Sequence, residues 1–211
     1  MSAAPLFGSR LLAFNLLPSL TLHPSRHAAF GAPARPVPAA CAPAWHRHWS
    51  ADILRRLDLH ERPVTDTSRP ELALALLPPD RLARVARHMG AVLCAPRLRR
   101  AIDGGEVRQL LSALGADVLD FARRAASASP ARVGAVETAG APLAEGVDRL
   151  GRAALRAAFQ GAGPELALRA GLKLQDEPAG APDDFPDALG LALDVLERIE
   201  PTWHSSFRAT H

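Results

Sequence analysis

The sequence is short of several residue types on which whole classes of protein depend. Its 211 residues include no tyrosine, a single lysine, and two cysteines, Cys41 and Cys94. Two thiols cannot build a disulfide framework, so a reducing cytosol is the expected compartment. Aromatic residues make up only 5% of the chain. The core must therefore be built from leucine, valine and alanine, which favours packed helices over aromatic-rich strands.

Long apolar runs are also missing. The segment after Arg10, LLAFNLLPSLTL, resembles a signal peptide, but Asn15 and Pro18 interrupt it and no small-x-small cleavage site follows. No stretch approaches the roughly 18 consecutive apolar residues that a membrane-spanning helix requires. The sequence therefore predicts a cytoplasmic protein without direct membrane insertion.

The basic charge is weak and dispersed. The formal net charge is +3, and the arginines are spread along the chain among 22 acidic residues. Nucleic-acid-binding proteins usually concentrate basic residues on one face or tail, so we expect a mixed, solvated surface and no nucleic-acid partner. A helical nucleic-acid-binding regulator is the alternative. The segment RLRRAID is its nearest recognition helix, but Gly104 and Gly105 truncate it.

Signatures of catalysis are absent: the chain has no phosphate-binding glycine loop, no H-E-x-x-H and no G-x-S-x-G. The best metal candidate is Cys41 with His46 and His48. A zinc site needs three or four ligands with supporting contacts, and no further cluster lies nearby. Surface histidines beside two packing tryptophans are therefore favoured, and a small helical enzyme would depend on this group alone.

Other titratable residues have structural interpretations. Four carboxylates are expected to cap helices and solvate polar faces: Asp103, Glu106, Asp117 and Asp120. His88 is expected to be exposed on a polar stripe. We therefore predict no catalytic, cofactor-binding or metal-binding residues.

Hydrophobic periodicity predicts an all-α fold: a single compact multi-helix domain with an irregular N-terminal arm. The arm, residues 1–45, is rich in proline and alanine, which makes a regular helix unlikely there. It should be anchored on the domain, residues 46–211, by four apolar side chains: Phe14, Leu16, Leu17 and Leu20. Ser50 is expected to cap the first helix of the domain. The segment LKLQ, around Lys173, is the one place where a strand would fit.

The central region, ELALALLPPDRLARVARHMG and onward, is a series of amphipathic helices. Gly115 either caps one helix or lies in a single bent helix, and residues 127–141 and 175–184 are expected to be loops. The predicted core comprises ten residues: Leu82, Val85, Met89, Val92, Leu110, Leu111, Leu114, Leu150, Leu189 and Leu196. We expect Leu111→Asp to prevent folding. Trp203 and Phe207 follow Pro201 in a tail, where core packing is favoured over partner contact.

Three segments resemble the SctK (YscK-like) family of bacterial type III secretion systems. They are FNLLPSLTLHPS (with Phe14, Asn15, Pro18, His23 and Pro24), LARVARHMGAVLCAPRLRRAIDGGEVRQLLSALGADVLDFA, and LDVLERIEPTWHSSF. Their order and spacing carry the resemblance over nearly the whole chain.

The resemblance implies a non-enzymatic, mostly helical adaptor of the cytosolic sorting platform. Such a protein contacts the cytoplasmic domain of the inner-membrane ring protein SctD and the pod protein SctQ. Through SctQ it joins the stator SctL and the ATPase SctN. The resemblance carries over no contact residues, and it implies no cofactor.

Overall fold

The computed structural model describes residues 4–101, 104–128, 142–176 and 185–208. These residues form eleven α-helices and no strand, which confirms the all-α prediction. The helices are α1 (Ala4–Leu16), α2 (Ala42–Arg56), α3 (Leu72–Ala75), α4 (Pro79–Leu93), α5 (Ala95–Arg100), α6 (Gly104–Leu114), α7 (Ala116–Ala128), α8 (Leu143–Gln160), α9 (Pro164–Leu172), α10 (Ala188–Ile199) and α11 (Pro201–Arg208). The LKLQ segment ends α9 and continues as a turn.

The N-terminal arm is irregular between α1 and α2, as predicted, apart from two single 3-10 turns. The helix α1 itself was not predicted, because its apolar residues are spread around the helix and leave no amphipathic stripe. Phe14 is buried, but the anchoring roles predicted for Leu16 and Leu20 are wrong, since both are more than half exposed.

The predicted N-cap at Ser50 is also wrong. Helix α2 begins eight residues earlier, at Ala42, and Ser50 is buried in its middle. Pro43 lies in the first turn of α2, where the missing amide hydrogen of proline costs nothing. The polar Ser50 is tolerated there because its Oγ lies 2.7 Å from the Oγ of Ser19 in the arm.

The chain divides into two compact units. The first comprises Met1–Pro79, Phe159–Gly180 and Glu200–His211, and the second comprises Asp80–Ala158 and Ala181–Ile199. Ile102, Asp103 and most of the two predicted loops lie outside the described residues.

The first unit is organised around α3, whose four residues are all buried. The side chains of Trp203 and Lys173 donate hydrogen bonds to carbonyl oxygens in and just after α3. Arg169, on α9, is also buried and donates to the carbonyl oxygens of Leu59 and Arg62. Buried backbone carbonyls need such partners, so these three side chains hold distant segments of the unit together.

Arm residues fold into this unit through the same kind of contact. The side-chain amide of Asn15 both donates to the carbonyl of Val64 (3.0 Å) and accepts from its amide (2.9 Å). The asparagine that interrupts the apolar run thus satisfies two buried backbone groups. It is a structural residue of the first unit.

In the second unit, α4 and α8 cross at a close approach between Gly90 and Gly151. A Cβ added at Gly90 would overlap the carbonyl of Val147, and one at Gly151 would overlap that of Ala86. Glycine is required at both positions because the two backbones leave no room for a side chain.

Most of the predicted core lies in this unit and is buried. The confirmed residues are Leu82, Val85, Met89, Val92, Leu110, Leu114, Leu150 and Leu196. Leu189 is half-buried. The prediction for Leu111 is wrong, since 42% of this residue is exposed. Gly115 adopts a φ of +89° and separates α6 from α7, so the two-helix alternative is the correct one.

Candidate interaction surfaces

The metal candidate does not come together as a ligand set. Cys41 is exposed just before α2, and His48 is exposed on α2. The Nδ1 atom of His46 lies 2.9 Å from the hydroxyl of Ser19. In the described ranges, no three histidine, cysteine, aspartate or glutamate side chains are placed to share a metal ion.

The contact between Ser19 and His46 brings a hydroxyl next to an imidazole, which is how a nucleophile and its base are arranged. However, Ser19 is buried and its Oγ also donates to the backbone carbonyl of His46, 3.1 Å away. The structure gives this imidazole no carboxylate partner among the described residues. The cluster of Ser19, His46 and Ser50 therefore serves to attach the arm to α2.

The carboxylates form ion pairs with arginines. Asp117 lies 3.4 Å from Arg84, and Asp120 lies 3.1 Å from Arg123. Glu106 is exposed in the first turn of α6, and Asp103 lies outside the described residues. These positions agree with a role in capping and solvation.

His88 was predicted to be exposed, and this prediction is wrong, because only 1% of the residue is accessible. Its Nδ1 lies 2.9 Å from the carbonyl oxygen of Arg84, and its ring packs edge-on against Phe121 at 5.0 Å. Burial lowers the pKa of His88. The part of the polar face of α4 that carries His88 is thus packed against α7.

Trp203 and Phe207 are buried, as favoured from the sequence, but they lie in a helix, α11, and not in a tail. The indole of Trp203 donates to the carbonyl of Ala73 at 2.7 Å, and Phe207 packs against Phe7 at 5.3 Å. The guanidinium of Arg10 lies over the Trp203 ring, 4.6 Å from its centroid. These aromatic residues belong to the core of the first unit.

Among the described residues, each unit has one surface that we consider for partner contact. The first is a leucine stripe of three residues spaced four apart: Leu12, Leu16 and Leu20 are 62%, 57% and 52% exposed. Leu12 and Leu16, four residues apart, lie on the same face of α1, and Leu20 lies in the 3-10 turn that follows. The spacing is visible in the sequence, but the sequence analysis predicted that Leu16 and Leu20 would be buried as anchors of the arm.

The second surface, here called the arginine groove, lies between α5, α6 and α7. It is a small groove with a cavity volume of about 30 Å³. Its lining includes Leu98, Arg99, Val107, Leu110, Leu119, Ala122 and Arg123. Leu111 follows Val107 by four residues and so extends the apolar lining along the exposed side of α6. Sequence reasoning missed this surface because it assigned Leu111 to the core.

None of the described helices combines the length and the hydrophobicity needed to cross a lipid bilayer. The family model for YOP proteins translocation protein K (YscK) matches residues 33–177. The match includes α2 to α9, and therefore all three helices that form the arginine groove. No curated protein and no solved structure matches the chain.

Proposed function

Because the chain belongs to the YscK family of type III secretion proteins, we propose that it is a non-enzymatic adaptor of the cytosolic sorting platform. In this role it links the cytoplasmic domain of an SctD-like inner-membrane ring protein to an SctQ-like pod protein. The pod protein connects it in turn to an SctL-like stator and an SctN-like ATPase. The proposed location is the cytoplasmic side of the inner membrane, where the protein is held by the secretion apparatus.

The presence of two exposed apolar surfaces supports this proposal. An adaptor needs at least two contact sites, and each unit of this chain carries one of its own. The leucine stripe belongs to the first unit, and the arginine groove belongs to the second. Exposed apolar side chains that cluster on one face are typical of protein interfaces.

The surroundings of the titratable residues favour a scaffold over an enzyme. The Ser19 hydroxyl is held by a backbone carbonyl, and the Asp117 and Asp120 carboxylates face arginines. Each of these contacts stabilises a helix or joins two elements. None of them leaves a group free beside a cleft, which acid–base or nucleophilic catalysis requires.

We propose that the arm, residues 1–45, packs on the helical domain, residues 46–211, in the folded protein. Asn15 and Ser19 support this, because both attach the arm to segments beyond residue 45. Limited proteolysis of the folded protein should therefore leave the arm associated with the rest of the chain after cleavage between Gly31 and Ala40.

Affinity purification of the tagged protein from cells that express the secretion genes tests the adaptor function. Both ring and pod components should co-purify with the wild-type protein. A variant of the leucine stripe, Leu12→Ser with Leu16→Ser, and a variant of the arginine groove, Leu111→Ser, should each lose one partner and retain the other. Leu168→Ser is the matched control, since Leu168 is also 42% exposed but lies on α9 and belongs to neither surface.

Two results would contradict the adaptor function. One is the co-purification of neither ring nor pod components with the wild-type protein. The other is salt-sensitive retention of DNA in their place, which would favour the nucleic-acid-binding regulator.

A further inference from the structure

The arginine groove combines an apolar floor with a basic surround. The floor includes Leu110, Leu119 and Ala122, all of which are buried, while the half-buried Leu98 and Val107 lie closer to solvent. Since Leu111 is 42% exposed on the same side of α6 as Val107, the apolar surface continues out of the groove. A partner that fills the groove would therefore bury aliphatic side chains at several positions.

The three helices that form the groove carry a net positive charge, and Arg99 and Arg123 line the groove itself. Helices α5, α6 and α7 carry six arginines and three acidic residues, an excess of three positive charges. The arginines are Arg97, Arg99, Arg100, Arg108, Arg123 and Arg124. Two of the three carboxylates, Asp117 and Asp120, are already paired with Arg84 and Arg123. Among the described residues, Arg99, Arg100 and Arg108 form no ion pair.

These features define the chemistry of the occupant. Its apolar side chains must fit the floor, and its charged groups must be negative, because arginine makes bidentate contacts with carboxylates across interfaces. A helix with aliphatic residues on one face and carboxylates along its edges meets both requirements. It would use the mode in which an amphipathic helix lies in an apolar groove.

Nucleic acid and a second copy of the chain fit less well. No aromatic residue lines the groove within the described ranges, so it offers no platform on which bases could stack. Among the residues whose burial the structure describes, the most exposed leucines are those of the leucine stripe. Two of these three leucines lie on α1, and the sequence of that helix, APLFGSRLLAFNL, contains no acidic residue. A second copy that inserted this stripe would leave the arginines without carboxylates.

We propose that the arginine groove binds an acidic amphipathic helix of another protein. Aliphatic side chains of that helix occupy the floor and contact Leu111, and its carboxylates pair with Arg99. Arg123, which also lines the groove, is paired with Asp120 and adds to the basic surround. This inference gives the chemistry of one contact of the proposed adaptor, and it rests on the proposed function only for the origin of the partner in the secretion apparatus.

A synthetic peptide tests the inference with the full-length protein. The probe is a fluorescein-labelled peptide of about 18 residues, or five helical turns, with leucine at i, i+3, i+4 and i+7 and glutamate on the flanking positions. Binding is measured by fluorescence anisotropy in low and moderate salt. The wild-type protein should bind the peptide, and Leu111→Ser should weaken binding about tenfold or more, as for a central interface residue. Leu168→Ser, with the same exposure of the original side chain, should not change it.

A charge exchange between the groove and the peptide tests whether the arginines bind the carboxylates. The double variant Arg99→Glu with Arg123→Glu should lose the acidic peptide and gain affinity for the same peptide with lysine in place of glutamate. Arg47→Glu, at an exposed position of α2, is the matched charge control and should have little effect. Circular dichroism of each variant checks that its helices are intact.

Several outcomes would overturn the inference. Equal binding of the acidic peptide by the wild-type protein and the double variant would exclude the groove as its site. Self-association that is lost in Leu111→Ser would identify a second copy as the occupant, and DNA binding that is lost in the double variant would identify a nucleic acid. The peptide assay needs no secretion apparatus. Its failure is thus separate from a failure to co-purify ring or pod components.

Discussion

The ammonium group of Lys173 lies 2.6 Å from the carbonyl oxygen of Ala75 and donates a hydrogen bond to it. A second hydrogen bond, of 3.0 Å, connects the same group to the carbonyl of Leu77. Because α3 has only four residues, its carbonyl oxygens have few partners within the helix. The single lysine of the chain and Trp203 provide the missing donors from distant parts of the sequence. The buried α3 is thus stabilised from outside itself.

The Trp203→Phe variant should be less stable than the wild-type protein by about 1–3 kcal/mol, because the buried carbonyl of Ala73 loses its donor. Trp45→Phe is the matched control, since the indole nitrogen of Trp45 is buried without a hydrogen-bond partner. This control should change stability little or raise it. Urea unfolding followed by circular dichroism measures both. Equal losses in the two variants would mean that the hydrogen bond of Trp203 contributes nothing.

Lys173 should make stability rise with pH above neutrality. Burial, aided by the charge of Arg10, lowers the pKa of Lys173 from 10.5 to about 7 in the folded protein. Between these values the unfolded chain binds more protons than the folded one, so the free energy of unfolding increases with pH. From pH 7 to 8.5 the gain should be about 1.5 kcal/mol, given roughly 1.4 kcal/mol per pH unit at full effect.

Few other side chains of the protein ionise at alkaline pH, which makes this measurement easier to interpret. The chain has no tyrosine and no other lysine. Burial raises the pKa of the Cys94 thiol to about 11, so this group lowers stability as the unfolded thiol ionises, an effect that starts near the upper end of the chosen range. The rise should be absent in Lys173→Met. A wild-type protein whose stability is flat from pH 7 to 8.5 would show that the ammonium group stays charged in the fold.

Sequence patterns identified the helices whose apolar faces repeat strongly, such as α4, and most of their core residues. These patterns gave wrong predictions for residues whose burial depends on a segment that is distant in the sequence. His88 occupies the polar side of α4, and only the placement of Phe121 on α7 buries it. Likewise, Trp203 follows Ala73 by 130 residues, and no local pattern connects the two. The arginine groove could not be predicted for the same reason, because it forms only where α5, α6 and α7 pack together.

His88 should destabilise the protein at acidic pH. Burial is the main cause that lowers its pKa below 6.5, although the nearby Asp117 opposes the shift. The unfolded chain therefore binds a proton just below pH 6.5 while the folded protein does not, and stability falls as pH decreases through that range. His88→Gln keeps a donor for the carbonyl of Arg84 and should lose less stability between pH 7 and 5.5. Parallel pH profiles for the two proteins would contradict this prediction.

The helix crossing in the second unit should be intolerant of a single methyl group. Gly151→Ala places a Cβ against the carbonyl of Ala86, so α4 and α8 must separate. We expect a loss of about 2–3 kcal/mol, the upper range for overpacked sites. Gly171→Ala, a helical position of α9 with open space around it, is the control and should gain about 0.5–1 kcal/mol. Thermal unfolding measures both, and a stable Gly151→Ala protein would show that the helices are free to move apart.

Leu111 and Leu114 allow the corrected core to be tested on one helix. Leu114 is 4% exposed and Leu111 is 42% exposed, although both are leucines of α6. Leu114→Asp buries a charge without a partner and should unfold the protein, a loss above about 4 kcal/mol. Leu111→Asp leaves its carboxylate in water beside a basic groove, so the loss should stay near 1 kcal/mol, as for surface positions. If Leu111→Asp also unfolds the protein, then Leu111 belongs to the core, and the groove loses the exposed leucine on which its proposed partner contact depends.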